Sequence, residues 1–385
     1  MRGHPALGAA IRGEWMLDPD FLTVNHGSYG AAPLRVLAAQ QQWRDRMERQ
    51  PTRFMGRELP PALRAAAGTL AAFMGAAARD TVFVENATVG CNAVLRSLRL
   101  APGDEVVVFD HGYGAVMKAV RYVTERAGAR MVEAIMPFPR TDDDAVVRAL
   151  VAAIGPRTRL AVLDHITSGS ALVLPAAAMV AACHAAGVAV LIDGAHAPGN
   201  IDLDLPAIDA DWYTGNCHKW LMAPKGCAFL WARADRQHDL HPVTISHGYG
   251  DGYLAEFDWT GTRDMSAYLA VGAALDFHAW LGGPALRARN AALAAEAAGL
   301  LARRLGTETP SGNRAEAAMA LVRLPVSGDV SPQRALKLRD ALLSRGTDAP
   351  IIAIGNTAWL RVSVQGYNDI SDFEQLSKVV LQLCT

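Results

Sequence analysis

The chain contains 385 residues, 51% of them hydrophobic and 19% charged, with a formal net charge of -1 at pH 7. This composition excludes a disordered chain, and the sequence pI near 6.8 gives no electrostatic signal for nucleic acid or an anionic membrane. The length predicts about two domains that each bury a core. Because the five cysteines form no CxxC pair, we expect no disulfide framework and no metal site, and we expect a cytoplasmic protein.

The hydropathy pattern predicts no secretory or membrane-spanning segment. The amino terminus lacks the apolar run of a secretory signal. Residues 165–192 carry no charged side chain, but Pro175 suits the first turn of a helix and Gly187 suits its C-terminal cap. These two residues divide the run into a helix and a strand, each too short to cross a bilayer.

The chain begins with an entry segment, residues 1–20, which is followed by a polar loop. Two glycines, an asparagine and a serine crowd into Asn25–Gly30, so the backbone of this loop can approach a ligand closely. Helices are predicted over residues 34–49 and 62–75.

Between these helices, residues 50–61 predict a break. Arg53 and Arg57 flank Phe54, which looks exposed in the sequence. The two arginines could hold a substrate carboxylate, or they could be the surface or interface residues that arginines usually are.

A strand over residues 81–84 turns directly into a helix at Asn86-Ala87-Thr88. The start of that helix presents free backbone N–H groups, and Thr88 adds a hydroxyl, which together form a candidate phosphate cradle. The ordinary alternative is helix capping by Asn86 or Thr88.

Two further predicted strands end in polar loops at the same kind of edge. Strand 105–109 is followed by a loop containing His111 and Tyr113, and strand 159–164 is followed by a loop containing Ser168. His111 or Tyr113 could stack on a flat heteroaromatic ring, or both could be ordinary packed loop residues. Strands alternating with helices of this length predict a mainly parallel sheet with helices on both faces.

A carboxylate follows the most apolar of these strands. Residues 188–192 are all apolar, and Asp193-Gly194-Ala195-His196 comes next, so the strand delivers Asp193 to its C-terminal end. Ligands of open α/β sheets bind at that edge. Helix capping is the alternative role for Asp193 taken alone.

Lys219 is the second half of this pattern. The chain has only five lysines, and Lys219 lies between His218 and the apolar pair Trp220-Leu221, where desolvation lowers the pKa of an ammonium. A neutral amine attacks carbonyls, as Schiff-base chemistry requires. A snorkelling lysine is the alternative, but Asp193 and Lys219 together favour pyridoxal phosphate (PLP), whose ring nitrogen needs an anion and whose aldehyde needs an amine.

The order of predicted strands and helices changes after a long helical region over residues 265–305. Strands near 317–323, 350–354 and 358–364 alternate with helices over 333–345 and 371–383, which predicts a small α+β domain. Its third strand carries Arg361, which could aim inward as a bidentate carboxylate clamp or be a partly buried structural arginine.

Taken together, these stretches resemble the class V aminotransferase family of PLP enzymes (fold type I), and within it the isopenicillin N epimerase-like branch. The resemblance runs through Asn25–Gly30, Asn86–Thr88, Asp110–Gly114, Asp164–Ser168, Asp193–His196, Asn216–Leu221, Gly261–Arg263 and Arg361. It implies a large PLP-binding α/β domain with a mainly parallel seven-stranded sheet and a small α+β C-terminal domain. We place the boundaries at 1–30, 31–265, 266–300 and 301–385, for the N-terminal segment, the large domain, the connecting helices and the small domain.

The resemblance also implies a role for each matching residue. Lys219 would bond to the cofactor, Asp193 would pair with the ring nitrogen and His196 would lie near the ring hydroxyl. Substrate would be bound by Asn25, Ser168 and Arg361. The remaining cofactor contacts would come from Ala87, Thr88, Asn216, His218, His111 or Tyr113, and from Gly261 and Thr262 of the second subunit of a homodimer. Asn216 and Ser168 depart from the residues that many members carry there.

The predicted function is chemistry at Cα of an amino acid, with Lys219 as base and Tyr113 as a candidate second acid–base group. An isopenicillin N epimerase-like amino-acid epimerase is the first expectation. A carbon–sulfur β-lyase on a cysteine conjugate, of the hercynylcysteine sulfoxide lyase type, and a class V aminotransferase are the alternatives. The resemblance disfavours a cysteine desulfurase, because desulfurases of this class use a loop cysteine shortly before the clamp arginine and residues 340–361 contain no cysteine. A catalytically silent binding protein conflicts with the intact Asp193, Lys219 and Arg361, and a dehydrogenase conflicts with the absence of GxGxxG after a strand.

Overall fold

A computed structural model describes residues 4–311 and 316–384. The strands are β1 (Leu22–Thr23), β2 (Thr81–Val84), β3 (Glu105–Phe109), β4 (Arg130–Ala134), β5 (Thr158–Asp164), β6 (Ala189–Asp193), β7 (Trp212–Asn216), β8 (Ala228–Ala232), β9 (Met319–Arg323), β10 (Thr347–Asp348), β11 (Ile351–Ile354) and β12 (Thr357–Ser363).

The described part of the chain contains fifteen α-helices. They are α1 (His26–Tyr29), α2 (Leu34–Arg49), α3 (Pro51–Arg53), α4 (Leu59–Phe73), α5 (Ala87–Ser97), α6 (Gly114–Ala127), α7 (Asp143–Ala153), α8 (Ala176–Ala185), α9 (Leu205–Ile208), α10 (Tyr253–Asp258), α11 (Ser266–Leu269), α12 (Val271–Trp280), α13 (Pro284–Leu305), α14 (Pro332–Leu343) and α15 (Ile370–Cys384).

The large sheet has seven strands in the order β2-β8-β7-β6-β5-β3-β4. Strand β8 pairs antiparallel with both of its neighbours, and the other pairings are parallel. The prediction of an α/β fold with a mainly parallel seven-stranded sheet is therefore confirmed. The C-terminal ends of β5, β6 and β7 lie side by side, which brings Asp164, Asp193 and Thr214 into register.

Helices cover both faces of this sheet because its strands are apolar at successive positions. Val106 and Val108 face a core formed with α5, α6 and α10, whereas Val107 and Phe109 face a core formed with α4, α7, α8 and α12. Side chains alternate across a strand, so an unbroken apolar run fits only a strand buried on both faces.

A second core lies around a three-stranded antiparallel sheet in the order β11-β12-β9, which packs against α13, α14 and α15. Strand β1 joins this part of the chain by pairing parallel with β10, so the N-terminal segment is attached to the C-terminal sheet region. The α+β elements predicted after residue 305 are present with small shifts in their ends. The division of the chain at residues 30, 265 and 300 stays a prediction.

The predicted break after the helix over residues 34–49 is confirmed, because α2 ends at Arg49 and Gln50 is non-helical, with φ -156° and ψ 80°. The helical conformation of the rest of this segment was not predicted, since α3 continues through a π-helical turn, Phe54–Glu58, into α4. The exposure expected for Phe54 was wrong. Phe54 is 3% exposed and packs in the core, so the neighbouring arginines do not flank an exposed aromatic ring. Strand β7 and helix α10 had no counterpart in the sequence interpretation, since the polar end of β7 resembles a loop.

In residues 4–311 and 316–384, every helix is too short or too polar to pass through a bilayer.

Helix α5 fits against β7 only because residue 90 is glycine. A Cβ atom at Gly90 would lie 2.2 Å from Thr214 Oγ1, whereas one at Gly68, within α4, would meet its nearest neighbour at an ordinary 3.6 Å. We expect Gly90→Ala to destabilise the protein by about 1–3 kcal/mol through overpacking, and the matched Gly68→Ala to stabilise it by about 0.5–1 kcal/mol. Urea unfolding of both holoenzymes measures this difference, and equal midpoints would contradict the packing.

Candidate active site

Lys219 lies just beyond the end of β7, in a turn that covers the C-terminal edge of the sheet. Its side chain is buried, and its Nζ lies 3.1 Å from Nε2 of His196. His196 follows β6, the neighbouring strand, so two separate chain segments bring the amine and the imidazole together. The pairing predicted from the sequence between the Asp193–His196 stretch and Lys219 is thus a direct contact.

The protonation of His196 follows from its partners. The indole N–H of Trp220 donates to His196 Nδ1 at 3.3 Å, and an indole nitrogen can only donate. Burial, together with the Lys219 charge, lowers the pKa of His196 well below its ordinary value, so the ring is neutral and its proton is on Nε2. His196 Nε2 therefore offers a proton to the lone pair of the Lys219 amine or to Ser168 Oγ at 3.3 Å.

The charge of Lys219 is destabilised by its surroundings. Burial, with the Arg361 guanidinium as a second cause, lowers the pKa of the Lys219 amine to about 8, although the Asp193 and Asp164 carboxylates act in the opposite direction. An amine with this pKa is substantially neutral near pH 8, whereas an exposed lysine is almost fully protonated there.

The Asn25–Gly30 loop holds the backbone of Lys219 from the other side. The carbonyl oxygen of Lys219 accepts a hydrogen bond from Nε2 of the buried His26 at 2.9 Å. A Cβ atom at Gly30, whose φ is +69°, would lie 1.9 Å from the carbonyl oxygen of His218. Only glycine permits this approach and this backbone angle. The sequence predicted a close approach of this loop to a ligand, and the close approach that the structure shows is to the lysine turn.

Two buried carboxyl groups lie beside the amine. Asp193 and Asp164 occupy equivalent positions on β6 and β5, and both are less than a tenth exposed. Burial raises the pKa of each, and the neighbouring Asp193 charge raises that of Asp164 further. Asp193 accepts the N–H of Ala195 at 3.0 Å, and Asp164 accepts the N–H of Tyr113.

The start of α5 forms a polar cradle next to the end of β7. Asn86 caps the helix by accepting the N–H of Val89 at 3.0 Å, and Asn216 Oδ1 accepts the N–H of Ala87 at 2.9 Å. Capping by Asn86, which was the alternative to a phosphate cradle, is therefore confirmed. The imidazole of His218 is oriented by a hydrogen bond of 3.0 Å from its Nδ1 to the carbonyl oxygen of Cys227.

Arg361, on β12, enters the site from the C-terminal sheet. The side chain is 3% exposed, and its terminal nitrogens donate to the Ser168 carbonyl oxygen, to Asn25 Oδ1 at 3.1 Å and to Ser28 Oγ at 3.1 Å. The buried Nε has no hydrogen-bond partner among the described residues. An orphaned guanidinium N–H is a costly group that a ligand carboxylate would satisfy.

Asp348 orients the side chain of Asn25. Its amide donates to Asp348 Oδ2 at 2.6 Å, and Asp348 also binds Arg339 in a bidentate pair at 2.6 and 2.7 Å. The acceptor oxygen of Asn25 therefore points at Arg361. Burial and the Arg339 charge lower the pKa of Arg361 to about 10, so it stays charged at neutral pH.

His111 and Tyr113 line a cleft of about 390 Å³ that also includes Ser168 and the turn between β11 and β12. His111 Nδ1 lies 2.9 Å from Ser170 Oγ, and its ring packs against Phe138. Tyr113 is 42% exposed at the edge of the cleft. A larger cleft, of about 1020 Å³ between α7, α8 and α13, contains none of the predicted site residues, so we place the site by its chemistry rather than by cavity size.

Not every predicted residue joins the Lys219 cluster. Gly261 and Thr262 lie in a loop before α11, and no hydrogen bond within the described part of the chain connects either to that cluster. Arg53 pairs with Glu58 on the protein surface, at 2.8 Å, as in the surface interpretation. The side chain of Arg57 is likewise placed away from the cluster, with a bond only to the Gly56 carbonyl oxygen at 3.3 Å.

The sequence interpretation missed four residues that shape the site. His26 and Ser28 lie in a loop for which the sequence predicted only a backbone role. Trp220 was considered only as an apolar neighbour of Lys219. Asp164 had a usable signal, since it is a second carboxylate at a strand end, 29 residues before Asp193 in a βαβ pattern. Its pairing with Asp193 needed the strand register.

The sequence also matches a family model, described as aminotransferase class V, over residues 31–376. The chain belongs to the aminotransferase class V family. Relatives include a probable chloroplastic L-cysteine desulfhydrase from Arabidopsis thaliana, 35% identical over 94% of this chain and 83% of that protein. An isopenicillin N epimerase from Amycolatopsis lactamdurans is 35% identical over 97% of this chain and 98% of that protein.

A solved structure has a similar fold. The structure of "C-DES Mutant K223A", with glycine covalently linked to the PLP cofactor, has a TM-score of 0.79 at 20% identity, covering 95% of this chain and 97% of that one. The protein is thus an enzyme of fold type I, and its cofactor is pyridoxal 5'-phosphate.

The residues present fit this cofactor. The site contains a buried amine of lowered pKa, a buried carboxyl group at the adjacent strand end and a helix N-terminus. These are the three groups that PLP requires, for its aldehyde, its ring nitrogen and its phosphate.

The pKa of Lys219 predicts how the apoenzyme takes up PLP. Only the neutral amine attacks the aldehyde, so the rate of covalent attachment should rise with pH and level off above about pH 8. Mixing apoenzyme with PLP at several pH values and following visible absorbance measures this profile. Lys219→Ala should show no covalent attachment, and Lys118→Ala, an exposed control, should behave as wild type; a rate still rising steeply at pH 10 would contradict the lowered pKa.

Proposed function

We propose that this enzyme removes the Cα proton of an amino acid and catalyses β-elimination of sulfur from cysteine or an S-substituted cysteine. The observation that carries this proposal is the buried Lys219 amine, of pKa about 8, in one cluster with the carboxylate-binding Arg361. Elimination requires one base at Cα and a departing group at Cβ, and thiolates depart readily. The 35% identity to a probable L-cysteine desulfhydrase supports the choice of substrate.

Named residues would hold the cofactor. Lys219 would bind it covalently, Asp193 would face the ring nitrogen, and His196 would donate its Nε2 proton to the ring hydroxyl oxygen. Thr88, Ala87, Asn216 and His218 would surround the phosphate at the start of α5, and His111 or Tyr113 would lie against the ring. When bound, PLP supplies an electron sink for the charge that develops at Cα.

Lys219 acts as the base once the substrate amine has taken its place. Burial lowers the pKa of its amine to about 8, so a substantial fraction is neutral near pH 8, and Nε2 of His196 lies 3.1 Å from its Nζ. A buried base has little freedom to rotate away from the Cα proton.

Arg361 orients the substrate by its α-carboxylate. Asn25, Ser28 and the Ser168 carbonyl oxygen fix the guanidinium, and its orphaned Nε–H is available for an incoming oxygen. With the carboxylate fixed here and the amine at the position of Lys219, the Cα–H bond and the side chain have defined directions.

The atoms of the elimination balance without an added oxidant. The Cα–H and Cβ–S bonds break, a Cα–Cβ double bond forms, and the sulfur leaves as a thiol or sulfide with one proton. The released enamine tautomerises, and water hydrolyses it to pyruvate and ammonium.

Epimerisation at Cα is the second candidate. It requires a group on the opposite face from Lys219 that returns a proton, and His111 and Tyr113 line the cleft next to Ser168. The 35% identity to an isopenicillin N epimerase over nearly the full length of both chains supports this alternative. Transamination is the third, since it needs only a different site of proton return.

The compartment and the oligomeric state are also proposals. We place the enzyme in the cytoplasm as a homodimer in which the exposed loop at Gly261 and Thr262 reaches the phosphate of the partner's cofactor. Cys91, Cys183, Cys217 and Cys227 are free, buried thiols, which suits a reducing compartment.

Product analysis separates the candidates. We expect the purified holoenzyme, given L-cysteine or S-methyl-L-cysteine, to form pyruvate and ammonium in equal amounts together with sulfide or methanethiol. NMR in D2O follows the same reactions. Deuterium at Cα with inverted configuration and no pyruvate would instead establish epimerisation, and neither product nor exchange would refute chemistry at Cα.

Arg361→Lys should raise the substrate KM about ten- to hundredfold, because an ammonium cannot make the paired N–H contacts of a guanidinium with a carboxylate. The visible spectrum of the bound cofactor should remain. Arg44→Lys, in an exposed pair with Asp264, is the matched control and should leave KM unchanged. An unchanged KM for Arg361→Lys would show that Arg361 does not bind the substrate carboxylate.

A further inference from the structure

A cleft of about 390 Å³ lies next to Ser168. Ser168 lines this cleft, and its carbonyl oxygen accepts a hydrogen bond from Arg361. Lys219, Asp193 and His196 do not line it. An amino acid held by Arg361 at its carboxylate can therefore direct its side chain into this space, next to His111, which would contact the cofactor ring.

One wall of the cleft is apolar. Ile352 and Ile354 lie two residues apart on β11 and so share one face, whereas Ala353 between them packs against the C-terminal core. Ile352 pairs across the hairpin with Trp359, whose ring contacts Phe138 at 5.0 Å. Phe138 in turn contacts His111, so the apolar surface continues from the hairpin into the large domain.

The opposite wall carries no positive charge. Its titratable groups are His111, Tyr113 and Asp110. Burial lowers the pKa of His111, which is therefore a neutral imidazole at physiological pH. The described residues that line the cleft include no lysine or arginine, and their acidic residue, Asp110, gives an anion no partner.

We propose that this cleft selects amino acids with an uncharged, apolar side chain and rejects those whose side chain ends in a carboxylate. The substrate class that follows is S-alkyl or S-aryl cysteine, because the volume exceeds what the thiol of free cysteine fills. A terminal carboxylate would lose its water against Ile352 and Ile354 without gaining a cation. This inference rests on the proposed function at Cα.

Norleucine and 2-aminoadipate form a matched pair for the test, since they have carbon chains of the same length and differ in the terminal carboxylate. The holoenzyme in D2O exchanges the Cα proton of a bound amino acid whether or not a leaving group is present, and NMR measures the rate. We expect kcat/KM for exchange to be at least tenfold higher for norleucine. Equal rates, or faster exchange of 2-aminoadipate, would overturn the inference and leave the proposed function intact.

Two variants place the effect in the cleft. Ile354→Arg adds a cation at its wall and should reduce the preference for norleucine at least fivefold, whereas Ile354→Met, similar in length and uncharged, should keep it within about threefold. If both variants keep the wild-type preference, Ile354 does not face the side chain and the assignment of this cleft fails. Absence of exchange with norleucine, 2-aminoadipate and cysteine alike would refute the proposed function, and the inference with it.

Discussion

The desolvation of one amine is the constraint on which the site depends. Lys219 is held through its side chain by His196 and through its backbone by His26, and these contacts come from the edge of the sheet and from the N-terminal loop. Each imidazole is neutral because burial lowers its pKa, to about 4 for His26. Two neutral hydrogen-bond donors can hold a lysine in a buried position without adding charge that would compete with its chemistry.

The two sheets supply the residues that would bind opposite ends of the proposed substrate. The large parallel sheet supplies the base and the carboxylates, while the C-terminal sheet supplies Arg361 and the apolar face of β11. Pairing of β1 with β10 ties these parts together through the segment that also contains Asn25. The geometry of carboxylate recognition therefore depends on contacts distributed over nearly the whole chain.

Much of this architecture was predictable from local patterns. Apolar runs such as Val106–Val108 identified the buried strands, and glycines and prolines identified the helix ends. Strand β7 was not predicted in the same way, because Gly215 and Asn216 have weak strand propensity and become part of a strand by pairing with β8. The helical path through Phe54 was also missed, since its burial depends on the core it joins.

The sequence by itself determined the chemistry available to this protein. A lysine flanked by apolar residues, a carboxylate at a strand end and an arginine in a late strand are properties of residue type and local pattern. Tertiary structure alone decided how these groups act on one another. The neutral state of His196, the pairing of Asp164 with Asp193 and the unsatisfied nitrogen of Arg361 depend on distances between segments far apart in the chain, and local propensity does not specify such distances.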